Sequence, residues 1–330
     1  MSSTPPEATK DPADPAPDQD GALIMLLGPT ASGKSEIAMA LADRFDLEIV
    51  SVDSGQIYRR LDVGSAKPGA DERARVRHHL IDFIEPWESY SAARFAADAR
   101  RCVTDIRARS RLPLLVGGTM LYARALTEGL HPLPAADADL RQRLLARARE
   151  QGWPAMHAWL AELDARTAAR LAPHDAQRIE RALEVCLLSG RPMSSLLALP
   201  AQGQWHGPVL RISVEPDDRG LLHERIARRF GAMIDAGLID EVRALRRDAR
   251  LNEQLPAIRS VGYRQVWQWL DDGARQPLQT LIDRGVAATR QLAKRQLTWL
   301  RSMDDRLRIA MESADRLDRV AEAIERALGR

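Results

Sequence analysis

Eight residues near the N-terminus have the types and spacing to hold phosphate. Gly28, Pro29, Thr30, Ala31, Ser32, Gly33, Lys34 and Ser35 fit the pattern G-x-x-x-x-G-K-[ST]. Leu23 to Leu27 precede them as a continuous apolar run, as a buried strand would, and Ile37, Ala38, Leu41, Ala42 and Phe45 follow at helical spacing. In that strand–loop–helix setting, backbone N–H groups of the loop and of the helix N-terminus face an anion. Lys34 adds a point charge, and the Ser35 hydroxyl suits Mg²⁺. A glycine-rich turn without a ligand is the bland alternative, and the clear flanks disfavour it. The loop alone leaves open whose phosphates it holds.

Two more chemistry-bearing positions stand at strand ends. Leu47 to Val52 reads as a β-rich run leading into Asp53 and Ser54, and Leu112 to Val116 as another, leading into Gly117, Gly118 and Thr119. Ligands of a doubly wound sheet collect outside the carboxyl ends of its strands, so Asp53 and Thr119 are expected to face the same crevice as the phosphate loop. Asp53 also suits a helix N-cap, and the two roles are compatible. The second strand end lacks the acid that a phosphate-loop NTPase usually places near its metal. Its glycines instead allow close backbone approach, and Thr119 can bond a phosphate oxygen or a metal-bound water.

Basic residues form three groups. His223 to Phe230 reads as a helix with Arg225, Arg228 and Arg229 crowded on it, aimed near the crevice by the strand-like run Val209 to Glu215. Arg178 and Arg181 lie one helical turn apart. Residues 284 to 301 hold Arg284, Arg290, Lys294, Arg295 and Arg301 with no acid, interleaved with Gln291, Thr298 and Trp299. Such a face suits a phosphate backbone, with polar side chains able to reach bases. A solvated charge row is the plainer reading of each.

The elements that must position these residues give an α/β protein: a P-loop NTPase-like parallel sheet core flanked by helices, with an all-helical insertion domain. Residues 57 to 92, including Gly64 to Gly69 and the pair His78 and His79, read as irregular structure with short helices, and the His pair lacks metal-ligand spacing. Ser91 to Arg109 reads as a helix capped by Ser89 or Ser91. Strand-like runs vanish between Leu130 and His206, where apolar residues recur at helical spacing. The organisation expected is a disordered tail over 1–20, a core made of 21–130 and 207–330, and an insertion over 131–206. The segment after residue 301 reads only as an amphipathic helix.

Composition narrows the setting. The formal net charge of +2 hides an acidic tail: residues 1 to 20 carry Lys10 against Glu7, Asp11, Asp14, Asp18 and Asp20, which leaves the body about +6. That balance is compatible with a polyanionic partner. Two cysteines, Cys102 and Cys186, exclude a disulfide framework and point to a reducing compartment. No apolar run reaches transmembrane length and no signal-peptide core is present, so a cytoplasmic protein that does not engage a membrane is expected.

Taken in order, the motifs Gly28 to Ser35, Ser51 to Ser54, Gly64 to Pro68, Val116 to Tyr122, Gln177-Arg178 with Arg181 to Val185, Val261 to Gln265 and Thr289 to Gln296 resemble the bacterial tRNA dimethylallyltransferases, also called tRNA isopentenyltransferases. The resemblance spans about residues 22 to 303. It implies transfer of a dimethylallyl group from dimethylallyl diphosphate to N6 of adenosine 37, in the anticodon stem-loop of tRNAs that read codons starting with U. Mg²⁺ is the implied cofactor. The phosphate loop then becomes a leaving-group site, and the missing NTPase-type acid is no defect, because no γ-phosphate is attacked. The resemblance makes Asp53 the general base and gives catalytic roles to Thr119 and Arg229, with Arg225 as a further diphosphate contact and Ser35 and Thr119 nearest the metal. It places tRNA contacts at Asp53, Ser54, Gly55, Gln56, Thr119, Arg141, Gln177, Arg178, Ile179, Glu180 and Arg181. We extend the RNA surface to Arg259, Arg264, Arg290, Lys294 and Arg295, and expect a monomer.

The departures from the family pattern are small. Ser35 stands where many members have Thr, Gly55 and Gln56 follow Asp53 and Ser54 where members vary, and the acidic tail has no counterpart. Two other readings compete. A small-molecule kinase of the nucleoside-kinase type would turn over ATP. A non-enzymatic RNA-binding regulator would form no covalent product. A guanine-nucleotide switch is disfavoured because no Asn-Lys-x-Asp motif occurs.

Overall fold

The computed structural model describes residues 21–329, and the tail expectation for residues 1–20 lies outside the described residues. In chain order the elements begin β1 (Leu23–Leu27), α1 (Lys34–Leu41), β2 (Leu47–Val52), α2 (Ala70–Arg75), β3 (His78–His79), α3 (Ala92–Ala108), β4 (Leu112–Gly117) and α4 (Met120–Thr127). Five helices follow: α5 (Ala138–Gln151), α6 (Trp153–Leu163), α7 (Ala165–Ala168), α8 (Ala176–Ser189) and α9 (Met193–Leu196). The chain then runs through β5 (Val209–Glu215), α10 (Arg219–Asp235), α11 (Leu238–Arg246), α12 (Tyr263–Asp271), α13 (Leu278–Arg301), β6 (Leu307–Ala310) and α14 (Arg316–Ala327).

The six strands form one parallel sheet in the order β3-β2-β4-β1-β5-β6. Strand β1 lies inside it, paired with β4 and β5, and all five of its residues are fully buried. Burial on both faces is why this strand reads as an unbroken apolar run rather than an alternation. Register sets the site. Leu27 pairs with Gly117, and Val52 also pairs with Gly117, so β1, β2 and β4 end level with one another. The phosphate loop, Asp53 and the Gly118–Thr119 turn leave from those three level ends. Gly117 is required there, because a Cβ on it would lie 2.1 Å from the Val52 carbonyl oxygen.

Two strands depart from the sequence reading. His78–His79 forms the short edge strand β3 within a segment expected to be irregular, and its His79 Nε2 bonds the buried carboxylate of Glu48. Arg109 also grips Glu48, through Nε at 3.0 Å and Nη2 at 2.8 Å. The His pair is thus structural. Strand β6 precedes the final helix, where only a helix was expected, and pairs with β5 along Ile212 to Glu215. Helix α3 behaves as expected, with the Ser91 hydroxyl accepting from Arg94 N–H at 3.1 Å. Helices α10 and α13 approach closely at Gly285, where a Cβ would stand 1.9 Å from the Phe230 ring.

The chain divides into two compact units, Gly21–Ala123 with Trp205–Gly329 and, separately, Arg124–Gln204. The second begins and ends earlier than the expected 131–206, since Leu130 and Gln202 pair as an antiparallel bridge within it. It has its own core of Leu140, Leu144, Met156, Leu160, Ile179 and Leu183. At one side of that core the fully buried Glu184 accepts from Arg141, Arg181 and the Asp137 N–H. Those donors hold its carboxyl below the usual range against the opposing effect of burial.

Candidate active site

The phosphate loop is held open by local chemistry. Gly33, at φ +89°, adopts the left-handed conformation as N-cap of α1, and Ala31 does so at φ +64°. Lys34 folds over the loop, its Nζ donating to the Pro29 carbonyl at 3.2 Å. Burial, then the nearby Arg229, push the Lys34 ammonium down to about 8, and Asp53 opposes the shift. Ser35 is exposed in the first turn of α1, while the Ser32 hydroxyl is buried with no partner among the described residues.

Asp53 follows β2 and begins a tight turn. Its Oδ1 accepts from Gly55 N–H at 2.8 Å and from Gln56 N–H at 3.3 Å, which closes the turn; no helix begins there, so Asp53 is not the helix N-cap that its sequence position suggests. Thr119 follows β4. Its N–H and that of Gly118 donate to the Val52 carbonyl, at 3.0 and 3.1 Å, and its Oγ1 accepts from Ser54 N–H at 3.0 Å. The Asp53 and Thr119 turns are therefore joined directly. Asp53 is also felt at Arg229, which is half-buried and driven down by burial, with Asp53 countering. Arg229 has no hydrogen bond or ion pair among the described residues. Arg225, one turn earlier on α10, extends over the loop: a Cβ on Gly33 would be 3.3 Å from its Nη2. Its other charge contact is a long ion pair to Glu36 at 3.8 Å. The site thus presents three cationic side chains and an anion-binding loop, with Asp53 the carboxylate felt at both Lys34 and Arg229.

A further layer holds the Asp53 turn. Gln56 Oε1 accepts from Ser51 Oγ at 2.9 Å, and Gln56 Nε2 donates to the Ala66 carbonyl at 3.1 Å. The segment around Ala66 is itself pinned. The Lys67 side chain is 2 % exposed and donates to the Tyr58 carbonyl, Asp62 and Asp82, which makes it a strut. From α11, Glu241 accepts backbone N–H bonds from Asp62, Val63 and Gly64, and also the Tyr263 hydroxyl proton. Ser65 N–H donates back to that hydroxyl at 3.1 Å. Of these supports, Lys67 and Tyr263 fall within motifs visible in the sequence. Glu241, on a helix that reads as plain scaffold, gives no sequence signal.

The other expected site residues separate by environment. Arg259, Arg264, Arg290, Lys294 and Arg295 are exposed and make no ion pair among the described residues. Helix α13 is amphipathic: Ala293, Gln296, Leu297 and Leu300 face inward while Arg290, Lys294 and Arg295 face out. In the 124–204 unit, Gln177 and Arg178 are exposed, with Arg178 Nη1 bonded to Asp175 at 2.7 Å. Arg141 and Arg181 are spent on Glu184, and Glu180 is partly exposed. Ile179 requires a correction: it is 0 % exposed and belongs to that unit's core, so its side chain faces Leu183 and its neighbours rather than an RNA.

Among the described residues, no group of three His, Cys, Asp or Glu side chains is placed to hold a metal. The donors at the loop suit Mg²⁺ differently. Ser35 and Thr119 offer hard oxygen atoms, and Mg²⁺ commonly takes few protein ligands and completes its shell with phosphate oxygens and water. Also among the described residues, no helix is long and apolar enough to cross a membrane.

Fold and site together define a P-loop α/β protein in which the anion loop stands beside the Asp53 carboxylate and a Gly-Gly-Thr turn. Residues 56–303 match the family described as IPP transferase, and residues 21–83 match isopentenyl transferase. A tRNA dimethylallyltransferase of Burkholderia lata is 55 % identical over 93 % of this chain and 95 % of its own length, and one of Burkholderia vietnamiensis is 56 % identical over the same shares. The crystal structure of the tRNA isopentenylpyrophosphate transferase of Bacillus halodurans covers 94 % of this chain and 99 % of its own at 33 % identity, with a TM-score of 0.66. A eukaryotic dimethylallyltransferase acting on tRNA shares the fold at a TM-score of 0.73 and 22 % identity, covering 93 % of this chain and 78 % of its own. The chain belongs to the IPP transferase family, whose named relatives are tRNA dimethylallyltransferases.

Proposed function

We propose that this protein transfers a dimethylallyl group from dimethylallyl diphosphate to N6 of adenosine 37 in tRNA, acting as a cytoplasmic monomer. The observation that carries the reading is the junction of the Asp53 turn and the Thr119 turn beside the phosphate loop. It sets a carboxylate next to an anion site, at a strand end where an NTPase would have its metal acid.

The exocyclic amine of adenine is a weak nucleophile, because its lone pair is delocalised into the ring. Asp53 takes a proton from that amine as the N–C bond forms, the role of a general base. At the same time the bond between the allylic carbon and the diphosphate oxygen breaks, and the electron pair leaves with diphosphate. The loop N–H groups, Lys34, Arg225 and Arg229 are aimed where that negative charge accumulates, which makes electrostatic stabilisation of the leaving group the main catalytic term. Thr119 orients the diphosphate and ties that end of the site to the base. Ser35 and Thr119 would hold Mg²⁺, which supplies charge neutralisation on the diphosphate when bound. A loop adenosine enters such a crevice at lower cost than a paired one, since it gives up less stacking and no pairing.

The test is direct. Protein, Mg²⁺, dimethylallyl diphosphate and an unmodified tRNA with adenosines at positions 36 to 38 are combined, and the nucleosides are digested and weighed. A dimethylallyl mass gain on one adenosine is expected. No gain, together with ADP formation from ATP and a metabolite panel, would establish the kinase reading instead.

A further inference from the structure

The phosphate loop has one tie that its own motif does not supply. Thr30 N–H donates to Oε1 of Gln296, 266 positions away on α13, at 2.8 Å. The other end of the same amide, Nε2, donates to the Gly118 carbonyl at 2.9 Å, in a buried bond. Gln296 is only 8 % exposed, and it sits on the inward side of the helix whose outer side carries Arg290, Lys294 and Arg295. A side chain at position 118 is excluded by this arrangement: a Cβ there would be 2.4 Å from Gln296 Nε2 and 3.0 Å from the Gly28 carbonyl. Gln296 therefore spans the gap between the loop after β1 and the turn after β4, the two segments that must share one diphosphate.

We propose that Gln296 is a positioning residue for the diphosphate. Its amide fixes the spacing between the phosphate loop at Thr30 and the Gly118–Thr119 turn, and it links that spacing to α13. The proposal rests on the reading of the phosphate loop as a diphosphate site. The chemistry requires an amide. Oε1 must accept from one backbone and Nε2 must donate to another, so neither a carboxylate nor an apolar chain of the same length can satisfy both. Either replacement leaves a buried backbone group unpaired, at the one place where loop geometry sets anion affinity.

Two variants and one non-catalytic probe test this. Pyrophosphate with Mg²⁺ is titrated into the wild-type protein, Gln296→Met and Gln296→Glu by calorimetry, and kcat and KM for dimethylallyl diphosphate are measured at saturating tRNA. Gln296→Met is expected to weaken pyrophosphate binding and raise KM by about 10-fold, while kcat and the affinity for tRNA alone change less than about 3-fold. Gln296→Glu is expected to weaken pyrophosphate further at pH 8, since a carboxylate faces both the Gly118 carbonyl and the ligand. On lowering the pH toward 5.5 its affinity relative to wild type should recover, because a protonated carboxyl restores an acceptor for Thr30 and a donor for Gly118. Unchanged pyrophosphate affinity in both variants would overturn the proposal, as would a deficit in Gln296→Glu with no acid recovery. If Gln296→Met fails to fold, the acid recovery of Gln296→Glu decides the matter. Wild-type protein that binds pyrophosphate but modifies no tRNA would sink the functional reading and leave this one standing.

Discussion

At the scale of single residues, the site sets chemical demands against stability. Asp53 has two tasks that one substitution can separate. Asp53→Asn keeps an oxygen to accept from Gly55 and Gln56 but removes the base. Activity is expected to fall by about 10²–10⁴-fold, with tRNA affinity and melting temperature close to wild type. Comparable losses in activity and binding would make Asp53 a positioning group only. Lys34 shows the cost of a half-buried cation. Its value of about 8 lies below the 10.5 of an exposed lysine, so between those values the unfolded chain binds more protons and folding stability rises with pH. Below pH 8 the charge is carried at full cost. Lys34→Met should therefore stabilise the ligand-free protein at pH 7, on the order of 1–3 kcal/mol by thermal or denaturant melts, while weakening pyrophosphate binding. The wild-type affinity for pyrophosphate should decline above about pH 8, and the Lys34→Met variant should lack that decline.

At the scale of elements, the outer face of α13 is the clearest candidate RNA contact in the core unit. Its cations have no acidic partners among the described residues, and a phosphate backbone would supply them. Replacing Arg290 and Lys294 by alanine should lower tRNA affinity and reduce the slope of log affinity against log salt by about 0.7–0.9 per contact, read by filter binding across a salt series. An unchanged slope would move the RNA elsewhere. Elements also mark where sequence reading succeeds and fails. Strands β1, β2 and β4 were legible because burial on both faces leaves long apolar runs with turn residues after them. Strand β6 was not, since Leu-Arg-Ile-Ala is four residues at a sheet edge. Strand β3 is two histidines, held by a parallel partner and by Glu48 rather than by any local pattern. Within the site, the loop, Asp53 and Thr119 each announce themselves locally. Gln296 and Glu241 act on backbone far away in sequence, and only the folded chain shows what they hold. Ile179 is the opposite case: its motif position suggests a contact, and its side chain turns inward to the core.

At the scale of the molecule, charge is used to fasten edges as well as to bind ligands. Glu48 is buried at the start of β2, and its bond to Arg109, helped by His79, pulls its carboxyl down to about 2. A carboxylate held below its unfolded value stabilises the native state fully above the usual range near 4.5 and loses that contribution as pH falls toward 2. Glu48→Gln should therefore lower stability at pH 7, on the order of 1–3 kcal/mol, and flatten the acid limb of stability between about pH 4.5 and 2, measured by urea melts across pH.

The strand order also dictates a sequence of events during synthesis. Strand β1 and its phosphate loop emerge early, yet β1 needs β4 on one side and β5 on the other. The 124–204 unit, with a core drawn entirely from its own residues, is complete before any of β5 has been made. At roughly 5–20 residues per second, the first strand waits many seconds for its second neighbour while the later unit is already able to fold. Gln296 comes later still. The segment that leaves the ribosome among the first is thus the last to reach its final shape, and an unfinished chain has no fully braced phosphate loop.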